Sequence, residues 1–477
     1  VLWSAPVIWI LLPIVTGAGL WFLRKRVGRM VAYATMFCLG LALAAWVLPF
    51  GQPVRLGPVS FTIDTTLAFA GRRLVLDGDD RTLLVFLFLL CAFWFAGSYA
   101  AGPSPLLAPF GLGMAALLVA ALAVDPFLYA ALLVETAVLV SVPILAPPGS
   151  RVGQGVLRYL IFQTLAMPFI LLAGWALGGV EANPSNLTLV TLSTVFLGLG
   201  FAFWLAVFPF YTWVPLLAEQ TRPYVVGFLF LIFPTVQLLL GLNFLDRFGW
   251  LRAAPEIFAV IRLAGTLMVV TAGLWAVFQR DLSRLFGYAV IVETGFSLLA
   301  VGLVETAGKQ LFSAMFLPRV LGFGLWALSL SILLRDVRSA RFDDVRGLAQ
   351  KLPFASAGLA VAWLTLGGLP LLPVFPIHQV LLEELARTSF WNAVLVLVGS
   401  GGMLLSAFRA LAVLAQGGLV VQENDTQGGL LPRVFGESRL QIGLIAAGVV
   451  GLLLIGLFPQ VFLPVLNGLS TRYLLLP

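Results

Sequence analysis

Charge is what this 477-residue sequence has least of. Asp, Glu, Lys and Arg make up 10% of it, against roughly 25% in a soluble domain. That excludes a water-soluble globule, whose surface could not be clothed, and equally a disordered chain or a coiled coil. Histidine is almost absent, with His378 alone, and there are two cysteines, Cys38 and Cys91, each inside an apolar run (MFCLG, FLLCAF). So few soft ligands exclude a cysteine ladder for haem, zinc or an iron–sulfur cluster. No GxGxxG or Walker A motif is present. Neither a cofactor nor a metal site is expected.

What the chain does have is apolar length. Hydrophobic residues make up 61% of it and mean hydropathy is +1.04. About 290 apolar residues at ~20 per span give about 14 helices. Runs bounded by charge, Gly or Pro place spans at 2–22, 30–49, 82–99, 107–123, 126–146, 157–179, 189–216, 223–244, 256–278, 285–304, 308–334, 354–383, 391–416 and 440–464. The apolar start reads as a retained first helix, not a cleaved signal. Segment 51–81 alternates apolar and polar residues and is rich in β-branched ones, so it reads as a short hairpin on the membrane surface.

The net charge of +7 reports topology rather than a nucleic-acid partner. With the first loop (RKRVGR) in the cytoplasm, loops on that side hold 16 basic residues and the other side holds 9. Both termini are then expected outside.

A charge at mid-span costs at least ~2.5 kcal/mol on the insertion scale, so each one needs a reason. Glu135 lies in AALLVETAVLVSV, Glu293 in YAVIVETGFSLLA, Arg319 in SAMFLPRVLGFGLW and His378 in LPLLPVFPIHQVLL. Two acids, a permanent cation and a near-neutral base suit proton or ion handling. The alternative for each is a packing role: helix–helix hydrogen bonding for the glutamates, a field-setting ion pair for Arg319 and a satisfied core residue for His378.

Prolines single out two spans. GGLPLLPVFP before His378 carries Pro370, Pro373 and Pro376, and WLAVFPFYTWVP carries Pro209 and Pro215 around Tyr211 and Trp213. Pro234 lies in the next span. Proline removes a donor and breaks the helix, and freed carbonyls in lipid must be satisfied by protein or water. Broken helices beside titratable residues are a recurrent build of transporter ion sites. QRDLSR places Asp281 and Arg284 three residues apart, on one helical face.

Three stretches carry a resemblance. FPFYTWVPLLAEQTRPYVVGFL (208–229), FQRDLSRLFGYAVIVETGFSLLAVGL (278–303) and FDDVRGLAQKLPFASAGLAVAWLTLGGLPLLPVF (342–375) resemble the antiporter-like proton-channel subunits of respiratory complex I, a family shared with Mrp-type cation/proton antiporters. The glutamate of LLVETAVLV matches the family's span-5 acid. The resemblance covers about residues 75–415. It implies an all-α polytopic membrane protein of about 14 transmembrane helices with two inverted five-helix repeats, broken at spans 7 and 12. The organisation would be spans 1–3 with the surface hairpin over 1–106, a first repeat over 107–244, a second over 256–416, and a C-terminal loop and last span over 417–477.

The departures are as informative. The family's span-7 lysine falls on Trp204 and its span-8 lysine near Phe233 or Pro234. One family histidine falls on Tyr211 and another on Glu293. The lysine or glutamate of the broken span 12 falls on His378, and a span-11 lysine falls on Arg319. The resemblance implies a membrane subunit of an NADH:quinone oxidoreductase in the bacterial inner membrane, moving protons while partner subunits transfer electrons. The expected proton path is Glu135, Glu293, Arg319 and His378, supported by Tyr211, Trp213, Pro234, Asp281, Arg284, Pro370 and Pro376, with Glu135 the most sensitive carboxylate. Partners would be other membrane subunits, the lipid bilayer and protons, with Na+ as the other candidate ion. The rival readings are an Mrp-type antiporter subunit and a non-pumping scaffold that kept the fold.

Overall fold

The computed structural model describes residues 4–56, 59–69, 71–149, 151–182, 186–252, 254–304, 307–335, 337–417 and 436–467. Much of the loop expected over 417–439, and the chain beyond 467, therefore lie outside the described residues.

Helices dominate because the sequence leaves little else open. Long apolar segments in lipid must satisfy every backbone donor internally. Among the described residues, ten helices are long and apolar enough to cross a membrane, and four shorter apolar ones (Val7–Leu23, Leu107–Ala123, Thr188–Trp204 and Pro353–Leu366) accompany them. The most deeply enclosed are Leu282–Gly302, Pro223–Arg247 and Gly308–Leu333. Others, such as Arg439–Leu457, are mostly exposed, although just as apolar. Outward apolar residues such as Met36, Trp175 and Leu397 suit lipid on that side.

Two expected spans are interrupted where prolines fall. The segment read as 189–216 is helical over Leu187–Trp204, leaves the helix at 205–209, and resumes as Trp213–Gln220 after a short 3-10 turn at Phe210–Thr212. The segment read as 354–383 forms Pro353–Leu366 and Val374–Thr388. Between them, Gly368 takes a positive φ of 74°, as does Leu371. The last expected span also divides, into Arg439–Leu457 and Pro459–Asn467, because Pro459 cannot continue the first.

The β-rich segment holds two antiparallel hairpins rather than one. Pro53–Leu56 pairs with Val59–Thr62, and Thr66–Phe69 pairs with Arg72–Val75. The second hairpin gains a third short strand, Val124–Asp125, and Arg73 pairs with Asp125 at 3.0 Å.

Small residues set the closest helix contacts. A Cβ at Gly273 would lie 2.0 Å from the Gly399 carbonyl oxygen, and one at Gly265 would lie 2.7 Å from that of Gly295. Backbones that approach this far replace the hydrophobic drive that lipid removes. They clamp Pro255–Phe278 between Phe390–Ala415 and Leu282–Gly302, the helix that carries Glu293.

Contacts distant in sequence also tie helices together. Gln441, near the start of Arg439–Leu457, donates its Nε2 to the Ala100 carbonyl at 2.9 Å. Glu437 just before it accepts from the Phe354 and Ala355 amides, which caps the Pro353–Leu366 helix at its positive end.

Candidate functional site

Glu293 sits midway along Leu282–Gly302 and is 1% exposed. The fold gives it company from two other elements. His378, one turn into Val374–Thr388, places Nε2 3.9 Å from Glu293 Oε1. That is too long for a direct hydrogen bond. The imidazole stacks on Phe296 with ring centroids 3.6 Å apart. A Cβ on Gly368 would come 2.9 Å from His378 Nδ1, so the positive-φ glycine of the interrupted segment is what lets the ring sit there. The GGLP run thus acts twice, by ending one helix and by making room for the histidine that starts the next.

Arg319, buried in Gly308–Leu333 beside the in-helix Pro318, completes the cluster. Its Nη1 donates to Ser297 Oγ at 3.0 Å, and that hydroxyl donates to the Glu293 carbonyl at 2.9 Å. Arg319 and Glu293 are near enough to couple electrostatically. Glu293 Oε1, His378 Nε2, and Arg319 Nε and Nη2 are buried and have no protein hydrogen-bond partner among the described residues. Buried polar atoms in such numbers at one spot call for water or an ion.

Glu135 lies apart from this cluster. It is half-buried on Ala130–Leu145, with Oε1 accepting from Thr164 at 2.8 Å and Oε2 without a protein partner among the described residues. Tyr159, on the same helix as Thr164, has its hydroxyl 3.0 Å from Ser141 Oγ.

Between the two carboxylates lies a small cavity. It is lined by Tyr159, Gln163, Trp204, Trp213, Gln237 and Thr294 among others, with Pro234 in its wall. Gln163 and Gln237, absent from the sequence-based set, are its polar core. Their signal was available as two neutral amides deep inside apolar runs (LIFQTLAM and PTVQLLL), which a search for charge passes over. Tyr211 is buried in the 3-10 turn. Pro370 lies in the interruption and Pro376 in the first turn of Val374–Thr388.

Arg284 meets Asp281 through its backbone amide. Asp281 does not receive its guanidinium. Asp281 is the N-cap of Leu282–Gly302, accepting from the Ser283 and Arg284 amides at 3.0 Å. Burial pushes its carboxyl above the usual range, while those amides pull it back. The Arg284 guanidinium instead reaches Glu219 Oε2 through Nε at 2.8 Å and Nη2 at 2.7 Å. The pair ties the resumed helix Trp213–Gln220 to the helix that carries Glu293.

A helical, lipid-adapted fold with many long apolar helices defines an integral membrane protein. Residues 156–405 match the family described as NADH:quinone oxidoreductase/Mrp antiporter, TM, and the chain belongs to that family. It is similar to NADH-quinone oxidoreductase subunit 14 of Thermus thermophilus, 29% identical over 91% of this chain and 93% of that one. The fold is that of a chain in respiratory complex I from Thermus thermophilus with bound NADH (TM-score 0.73, 22% identity, 99% of this chain and 100% of that one). It is equally that of a chain in the Mrp complex from Dietzia sp. DQ12-45-1b (TM-score 0.76, 17% identity, 99% and 98%).

Proposed function

We propose that this chain is a membrane subunit of a complex I-type NADH:quinone oxidoreductase, translocating protons across the bacterial inner membrane while partner subunits carry the electrons. The observation that carries the reading is the sealed Glu293–His378–Arg319 cluster. Charge at that depth is costly, and packing needs none of it. In this reading Glu293 and His378 exchange a proton across their 3.9 Å gap through one water. An imidazole suits this because a ring nitrogen can either hold a proton or accept one. Arg319 stays charged and sets the field that Glu293 feels. It relays nothing itself.

We infer a 14-helix arrangement of two inverted five-helix repeats over 107–244 and 256–416, with the interruptions at 205–209 and 367–373 as the broken helices of spans 7 and 12. Spans 1–3 and the hairpins precede the repeats, and a last span follows. The loop bias places the termini outside. Other membrane subunits of the assembly and protons are the partners, with Na+ the alternative ion.

The test is proton translocation by the assembly in sealed vesicles with His378→Leu and His378→Lys. Lysine retains transfer and leucine abolishes it, with the assembly intact in both. Normal pumping by His378→Leu makes the histidine a packing residue and the scaffold reading the better one. That second reading has its own support, since Trp204 stands where the family's span-7 lysine falls.

A further inference from the structure

We propose that Gln163, Gln237 and Trp213 hold an ordered water that links the region of Glu135 to the region of Glu293 without any charged side chain. The inference rests on the proton-carrying reading above and names the element that reading lacks.

Gln163 is 1% exposed and Gln237 0%. Gln163 Nε2 donates to the Trp204 carbonyl at 3.0 Å. Trp204 is the last residue of its helix, so that carbonyl has no intrahelical donor. Gln237 Nε2 donates to Gln163 Oε1 at 2.9 Å. The chain of amides leaves two loose ends, Gln237 Oε1 and Trp213 Nε1. Both are buried with no protein hydrogen-bond partner among the described residues, and both side chains line the same cavity. One is an acceptor and the other a donor. A water accepting from Trp213 and donating to Gln237 satisfies both, and the cavity has room for about one.

The site is placed to conduct. One wall is Tyr159 and Gln163, on the helix whose Thr164, next to Gln163, donates to Glu135 at 2.8 Å. The opposite wall is Val290, Ile291 and Thr294, which flank Glu293 in sequence. The held water accepts a proton from a hydronium on the Tyr159 side as it passes one of its own to a second water on the Thr294 side. One O–H bond forms as one breaks, and the amides, which do not titrate near neutral pH, are unchanged.

The test uses the whole assembly in a lipid nanodisc and in sealed vesicles. A high-resolution map is expected to show water density within hydrogen-bond distance of Gln237 Oε1 and Trp213 Nε1, lost in Gln237→Met. Proton translocation is expected to fall roughly tenfold in Gln237→Met, about what one lost buried hydrogen bond corresponds to, and less in Trp213→Phe. Gln237→Asn keeps an amide too short to reach, and replaces Gln237→Met if that variant does not assemble. A parental map without density at this spot overturns the proposal whatever the variants do. Full pumping by Gln237→Met, in an assembly that Glu293→Gln silences, removes the link and leaves the broader reading standing. If Glu293→Gln also pumps fully, the broader reading falls, and the conduction proposal with it.

Discussion

Of the three Val-Glu-Thr tripeptides in the sequence, the copies at 134–136 and at 292–294 lie within long helices, and those two live in different surroundings. In both, the threonine donates back to the carbonyl four residues earlier, Thr136 to Leu132 and Thr294 to Val290, so local structure is the same. Glu135 nevertheless lies half-buried at one helix edge, with a hydroxyl as its partner. Glu293 is enclosed by three helices, facing an imidazole and a guanidinium. The difference comes from what packs around each helix. It teaches that depth along a membrane helix and enclosure within the protein are separate quantities, and that enclosure is what demands compensating charge.

That contrast orders the expected effects. Glu293→Gln should bring the largest loss, roughly a hundredfold in proton transfer by the assembly, because no other carboxylate faces His378 among the described residues. The order expected from sequence, with Glu135 first, is thereby reversed, and equal losses in the two variants would erase the distinction drawn here. Next comes Arg319→Leu, which leaves Glu293 without the coupled cation. Ser297 Oγ also loses its charged donor, and a hydrogen bond to a charged group contributes about 1.5–3 kcal/mol, to be read as a lower unfolding temperature of the purified assembly. Unchanged melting would mean that Ser297 and water hold the site without the guanidinium.

Glu135→Gln should lower transfer only severalfold, about the effect of one ~1 kcal/mol hydrogen bond, since the amide can still accept from Thr164. Flux measured at several imposed pH gradients checks this. The smallest effect belongs to Arg284→Ala. The pair with Glu219 is partly exposed, with side-chain exposures of 41% and 27%, and such pairs contribute at most about 1 kcal/mol. Thermal stability within that margin, with pumping retained, is the expected result. A loss of coupling would make the Trp213–Gln220 connection to the Glu293 helix a working part of transport.

What the sequence made legible, and what it did not, follows the same division. Apolar runs, proline clusters and misplaced charges depend on neighbours in the chain, so the helices, the two interruptions and the four ionisable residues could be read directly. The meeting of His378 with Glu293 spans 85 positions and depends on how helices pack. Helical spacing put Asp281 near Arg284, but it does not show that Asp281 caps the helix end while Glu219, 65 positions away, takes the guanidinium. The glutamines at 163 and 237 were hidden by the rule used to search. A neutral amide costs little enough in lipid to draw no notice, yet enough to require a partner.

The hydrogen bond from Gln441 to the Ala100 carbonyl joins residues 341 positions apart. A ribosome adding roughly 5–20 residues per second reaches Gln441 on the order of 20–70 s after Ala100 has been made. For that interval the Asp80–Ala101 helix waits in the bilayer with this carbonyl unclaimed by its eventual donor. The donor that takes this carbonyl is thus made long after it, and a pulse-chase of protease resistance should show the Asp80–Ala101 helix gaining protection only once Arg439–Leu457 has been inserted.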